Sequence, residues 1–403
     1  MRPEDALTAP DAHQRIRGQG DRAGLERKQR QQKPEEEIAG HGLLFIRPVK
    51  PHVGKYQCIR LLGEGIVEDS LAKAAGRWGI EKTLVLECLR PDMAEDVGLA
   101  QLFLDTAKMA ARLTHPHIVR VFDFGKADGT YFLAREHIDG PSLRSLINHL
   151  AVQRMTLPAT LCARIISQAC EGLAYAHDLT DPKTNEPLEL IHHCIRPYNI
   201  LLSRQGTAKV LDFGVDAFRT RWTPQHPVPN LSQHVYMAPE DIRGLRVDRR
   251  VDVYSLGVVL YELLTTRRPF EGKTHWDVFQ AVLSEPMVPV EQHRPDLPGA
   301  MRAILARALA KDRDQRYPDC HAFRKDLEEF IRSEGEPVTP RQVARLVQQI
   351  TASDDPEAQA RPRLGRGWIL AAAVGLGVLL GCGALLWKMG TAPEPEKVRA
   401  TPP

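Results

Sequence analysis

The feature that most constrains this chain is the run from Trp368 to Trp387, "WILAAAVGLGVLLGCGALLW", which contains no charged residue. At helical rise a run of this length crosses about 30 Å of hydrocarbon, and a tryptophan at each end sits where interfacial anchors belong. A buried core helix is the competing reading, but the run stands beyond a linker with only a polar tail after it. We therefore expect one transmembrane helix at 368–387, followed by a short polar tail at 388–403. Arg361, Arg363 and Arg366 precede the span while Lys388, Lys397 and Arg399 follow it, so basic residues leave its orientation undecided. A short tail is easily translocated and no export signal precedes the bulk of the chain, which places the large domain on the cytoplasmic side of a single-pass membrane protein. Gly377 and Gly381, four residues apart, offer a smooth face for a homodimer contact.

The remaining sequence divides by composition. With 403 residues, 26% charged and 43% hydrophobic, it suits one large domain with extensions. The first forty residues are polar and charged, too poor in large apolar side chains to fold alone, and the segment 1–50 is expected to be disordered. The net charge of +3 is spread among interleaved acids and bases, which argues against a nucleic-acid partner. Seven cysteines without a C-x-x-C pair argue against a disulfide framework or a zinc site and fit a reducing cytosol. Residues 336–367, punctuated by Pro337, Pro340, Pro356 and Pro362, read as a juxtamembrane linker in which "PRQVARLVQQI" forms a short amphipathic helix. That leaves 51–335 as the folded domain. Its early segments "KYQCIRLLGEG", "LAKAAG" and "KTLVLECL" read as strands, and later ones such as "TLCARIISQACEGLAYAHDL" and "RRVDVYSLGVVLYELLTT" have helical period. The fold class is α+β, with a small β-rich lobe ahead of a larger helical one.

Within 51–335 several short motifs follow one another: "LLGEG", "ARLTHPHIVRVFDFG", "HIDGPSLRSLI", "RPYNILL", "KVLDFG", "VYMAPE", "DVYSLGVVLYELLTTRRPF" and "AKDRDQRYPD". In this order they resemble the bacterial eukaryotic-like serine/threonine protein kinases. The resemblance implies a two-lobed fold that uses ATP and Mg²⁺ for phosphoryl transfer, where rate comes from a phosphate clamp, metal ions and an oriented substrate hydroxyl. It assigns Gly63 and Gly65 to the nucleotide loop, Arg196 to the catalytic loop, and Asn199 and Asp212 to the metal ions. Asp252, Gly257, Glu240 and Arg316 fall to the helical scaffold, with Arg316 pairing Glu240.

Departures from the family pattern collect on the chemistry. Cys194 replaces the catalytic aspartate, and a thiol with a pKa near 8.5 orients a hydroxyl poorly. His192 and His193 are not partners in space merely by adjacency, so we expect an inert buried thiol rather than a nucleophile. Glu87 replaces the phosphate-clamping lysine and Thr106 its glutamate partner, while Lys73, the other candidate cation, is expected to point away. Glu68 takes the place of the third glycine, Ser70 that of the following valine, and Val85 narrows the adenine slot. Arg135 occupies the gatekeeper position and needs an acidic partner if buried, with Glu87 and Asp212 expected nearest. Gln233 replaces the threonine ahead of "YMAPE", leaving Thr220, Thr223 and Ser232 as hydroxyls of that segment. The expectation is a membrane-anchored pseudokinase, a regulatory or scaffolding module for unidentified signalling proteins, with ATP and Mg²⁺ binding weakened. The alternative is a weakly active or unorthodox serine/threonine kinase.

Overall fold

Short segments with clustered apolar residues build a sheet in the first lobe. Strands β1 (His52–Val53), β2 (Tyr56–Gly63), β3 (Val67–Ala75), β4 (Glu81–Leu89), β5 (Val121–Ala127) and β6 (Thr130–Glu136) pair antiparallel in the order β1-β2-β3-β4-β6-β5. This is a computed structural model, and it describes residues 51–63, 65–75, 81–214, 234–335 and 338–354. The segment 1–50, Thr220, Thr223, Ser232 and Gln233, and the apolar span with Gly377 and Gly381 lie outside the described residues. Among the described residues no helix is long and apolar enough to cross a membrane.

In β4 the side chains alternate: Leu84 and Leu86 join Tyr56, Ala72 and Phe132 in one small core, which sends Val85 and Glu87 to the opposite face. Helix α1 (Pro91–Ala94) leads into α2 (Val97–Ala110), whose N-terminus is capped by the Asp96 side chain accepting the Leu99 N–H at 3.0 Å. Helix α2 buries Leu99, Ala100, Phe103 and Ala107 in a second core shared with Leu89 and Leu133 of the sheet.

The second lobe comprises helices α3 (Leu143–Gln153), α4 (Ala159–His177), α5 (Pro239–Ile242), α6 (Arg250–Thr265), α7 (His275–Ser284), α8 (Gly299–Ala308) and α9 (Cys320–Ser333), with the hairpin of β7 (Ile200–Leu202) and β8 (Ala208–Val210). Helix α6 is its axis: every residue from Val251 to Thr265 is buried, the predominant apolar ones together with Asp252 and Glu262. The "PRQVARLVQQI" stretch forms helix α10 (Pro340–Asp354), and its Val343, Val347 and Ile350 are buried in the same core as α4 and α6. The packed chain therefore runs on to residue 354, past the boundary at 335 that composition indicated.

Two buried charge systems fix this lobe. Arg316 meets Glu240 end-on, with Nη1 to Oε1 at 2.6 Å and Nη2 to Oε2 at 2.8 Å, as the motifs implied. Asp252 on α6, fully buried, accepts the His192 N–H at 2.8 Å, the His193 N–H at 3.0 Å and the His177 Nε2 at 2.8 Å. Burial opposes a charge on His177, but Asp252 and Cys320 outweigh it and push its pKa up to about 10.

Two outcomes follow for this scaffold. Glu240→Gln strands the buried Arg316 charge and is expected to cost about 3–5 kcal/mol, read from the denaturant midpoint. The stabilisation carried by protonated His177 is complete below about pH 6.5 and is lost as pH rises through its folded value. His177→Gln should therefore flatten the alkaline limb of the melting-temperature profile, and an unchanged limb would show that His177 is uncharged in the fold.

Candidate nucleotide cleft

The cleft-facing side of the sheet is set by strand register. Cross-strand partners share a face, and β3 pairs with β4 so that Asp69 lies opposite Glu87 and Leu71 opposite Val85, while Glu68 lies opposite Cys88 and Ser70 opposite Leu86. The carboxylate beside Glu87 is thus Asp69, while Glu68, which takes the place of the third loop glycine, lies opposite Cys88, and Ser70 lies on the face of Leu86. Loop glycines do not fix which face a following strand residue takes, and a one-residue slip exchanges the faces.

Strand β6 brings Arg135 opposite Val85 and Leu133 opposite Glu87, so Arg135 points into the same cleft. Its side chain is 12% exposed, and its Nε donates to the Glu87 carboxylate in a short, direct ion pair. Its Nη2 reaches Asp69 Oδ2 at 3.5 Å. Asp212, the third acid, lines the same cavity with Glu87 and Arg135. Burial opposes the arginine's charge, but Glu87, Asp69 and Asp212 more than compensate and hold it firmly protonated. The acids respond in the opposite sense: burial raises Glu87 despite Arg135, and burial with the nearby Glu87 charge pushes Asp69 up to about 7. Lys73 shares the face of Asp69 but stands four residues further along β3, about 13 Å away at strand rise, and pairs with Glu81 at 2.7 Å on the surface. It points away because of that distance, whereas alternation alone would turn it toward the cleft.

Behind this ion pair the cavity is apolar, enclosing about 80 Å³ among Phe103, Leu113, Val121, Leu133 and Phe213, with Thr106 at its wall. Gly63 closes β2 opposite Asp69, and Gly65 is exposed beyond it.

The loops of the second lobe meet the cleft at both ends of the β7–β8 hairpin. Asn199 immediately precedes β7 and Asp212 follows β8, and the Leu211 N–H ties them by donating to the Asn199 carbonyl at 3.0 Å. Asn199 is 1% exposed, and its Oδ1 accepts a 2.9 Å hydrogen bond from Arg196 Nε. Asp212 adopts a left-handed backbone with φ of 72°, and the Phe213 ring packs against His192, tilted by 60° with ring centroids 4.6 Å apart. Cys194 is partly exposed, not fully buried as expected, and its backbone N–H donates to His192 Nδ1 at 3.3 Å. The other ring nitrogen of His192 donates to the Leu211 carbonyl at 2.8 Å, and burial lowers the ring's pKa. With both nitrogens engaged by backbone, His192 has none left to activate the Cys194 thiol.

The sequence matches the protein kinase domain family over residues 57–328. A tyrosine-protein kinase, MasK, of Myxococcus xanthus is 36% identical over 285 residues, covering 70% of this chain and 44% of that protein. The serine/threonine-protein kinase PknB of Mycobacterium leprae is 32% identical over 69% of this chain and 43% of its own length, and PrkC of Bacillus subtilis is 29% identical over 68% and 40%. The chain thus spans less than half the length of these relatives. Among solved structures, the Mycobacterium tuberculosis PknI kinase domain is similar with a TM-score of 0.50 and 27% identity, covering 69% of this chain and 96% of that one. The fold, the ordered loops and these matches define a protein kinase fold with a β-rich first lobe and a helical second lobe. The chain belongs to the protein kinase family, among its bacterial eukaryotic-like members.

One titration reports directly on the cleft. From about pH 4 upward the unfolded chain has released the Asp69 proton. The folded chain keeps it up to about pH 7, so stability from this site falls as pH rises through that window. Asp69→Asn is expected to reduce that slope in the melting-temperature profile, leaving the part that the raised Glu87 carboxyl contributes, and a slope unchanged by Asp69→Asn would show that Asp69 titrates in the fold as it does in the unfolded chain.

Proposed function

We propose that this chain is a membrane-tethered signalling module of the protein kinase family, anchored through 368–387 with its lobes on the cytoplasmic side, in which phosphotransfer is impaired or absent. The observation that supports this reading is the Arg135–Glu87 pair: the family's clamp lysine is replaced by an acid, and the cation in the cleft is already held by that acid and by Asp69. ATP with Mg²⁺ is what the family uses, and Asp212 and Asn199 are the residues that would hold the metal. Their surroundings fit it poorly, because the Asn199 oxygen serves Arg196 and the phosphates would meet Glu87 and Asp69. Like charges about 4 Å apart repel by roughly 4 kcal/mol at an effective dielectric near 20. Cys194 adds the loss of a positioned base, a term on the order of 10²–10⁴ in rate.

A second reading has its own support. The relatives named above are all called kinases, two of them serine/threonine- and one tyrosine-protein kinase, which favours an active protein kinase using ATP and Mg²⁺, serine/threonine-directed in this second reading, over the impaired module. Association through Gly377 and Gly381, and a signalling protein as partner, belong to either reading.

Purified full-length chain with labelled Mg-ATP and acceptor peptides bearing serine, threonine or tyrosine separates the two. The impaired module is expected to show no labelling above background, no rise in melting temperature with Mg-ATP, and no recovery in Cys194→Asp alone, since clamp and base act as one unit. Robust labelling by the wild type that disappears in Asp212→Ala would establish the kinase.

A further inference from the structure

We infer that helix α10 is a brace seated on the β7–β8 hairpin, coupling the C-terminal segment of the domain to the loops that carry Asn199 and Asp212. The inference stands apart from the question of phosphotransfer, and α10 lies beyond the kinase-family match, which ends at residue 328.

The seat is at Gly206, in the turn between β7 and β8, with φ of 84°. A Cβ built there would lie 2.0 Å from the Pro340 carbonyl oxygen and 3.0 Å from the Ala344 backbone N. The first turn of α10 is therefore in backbone contact with the hairpin, and backbone cannot swing aside as the tip of a flexible side chain does. From this contact the helix runs along the lobe with Val343, Val347 and Ile350 each no more than 1% exposed, and Val338 ahead of it is also buried. The hairpin is short, and all four of Ile200, Leu202, Ala208 and Val210 are fully buried. It has little freedom of its own: the Ala208 N–H donates to Gln168 Oε1 of α4 at 2.7 Å, and the Val210 carbonyl and N–H bond the Val119 N–H and the His117 carbonyl. Its two open ends are Asn199 and the Leu211–Asp212 step, tied by the Leu211 to Asn199 hydrogen bond. A shift of the turn is thus carried along two three-residue strands to both loops, because the strands have no slack between them.

If α10 and the hairpin stabilise one another, the coupling is reciprocal: loosening either must loosen the other by the same factor. The experiment is peptide-level hydrogen exchange on the full chain. Val347→Asp, which puts a charge into the seat of α10, is expected to speed exchange of α10 and also of the hairpin, at least tenfold in both, with α6 unchanged. Gly206→Ala acts from the opposite side and should speed exchange in α10. Because Ala at a positive φ is strained in itself, Gly244→Ala is the control: Gly244 has φ of 64° and no neighbour within 4 Å of an added Cβ, so it imposes comparable strain without touching α10. Fast exchange in α10 for Gly206→Ala but not for Gly244→Ala supports the brace. Fast exchange confined to the mutated element in both Val347→Asp and Gly206→Ala overturns it. Should Val347→Asp unfold the lobe as a whole, Val347→Ala replaces it with the same readout and the same two outcomes.

Discussion

The second lobe is organised around one carboxylate that has no access to water. Asp252 stands on an apolar helix, and a lone ionised acid there would cost several kcal/mol. It is retained because two successive backbone N–H groups, those of His192 and His193, and the His177 ring converge on it. The loop from His192 to Asn199 hangs from that point, and a rigid loop lets Phe213 close on His192 and Leu211 bond to both His192 and Asn199. Core and cleft meet at this single buried charge.

The same physics operates in the cleft with a different outcome. Arg135, Glu87 and Asp69 form a second buried charge system, but its members lie on neighbouring strands of one sheet and each faces the space between the lobes. In the core, the pairs hold elements together. In the cleft, the pair joins two neighbouring strands across the face they share. The Arg316–Glu240 and Asp252 contacts of the second lobe stand as the family motifs imply, while Glu87 and Arg135 on the cleft face hold each other.

Much of this was legible in the sequence, for identifiable reasons. Helix α6 announced itself by its apolar run, and the Arg316–Glu240 pair by motifs that occur in a fixed order. The inward position of Arg135 was implied by the gatekeeper position of the family motif, and it holds because β6 pairs with β4 without a register shift. Asp69 was hidden because β2 and β3 carry register shifts between Cys58 and Arg60 and between Leu61 and Gly63, and loop motifs carry no information about which residue opposes which. The amphipathic pattern of α10 was visible, but its seat was not: what covers an apolar stripe is a tertiary fact, and a proline-punctuated surrounding reads the same whether the helix docks or hangs free.

The docking of α10 bears on how the domain is to be handled. A chain ended at residue 335, where composition changes, would uncover the surface against which Val343, Val347 and Ile350 rest and leave the Gly206 turn facing solvent. Contiguous apolar surface of that kind is what drives soluble domains to associate. Poor solubility of such a fragment would then reflect where the chain was cut, and would carry no information about the soundness of the fold or the state of its cleft.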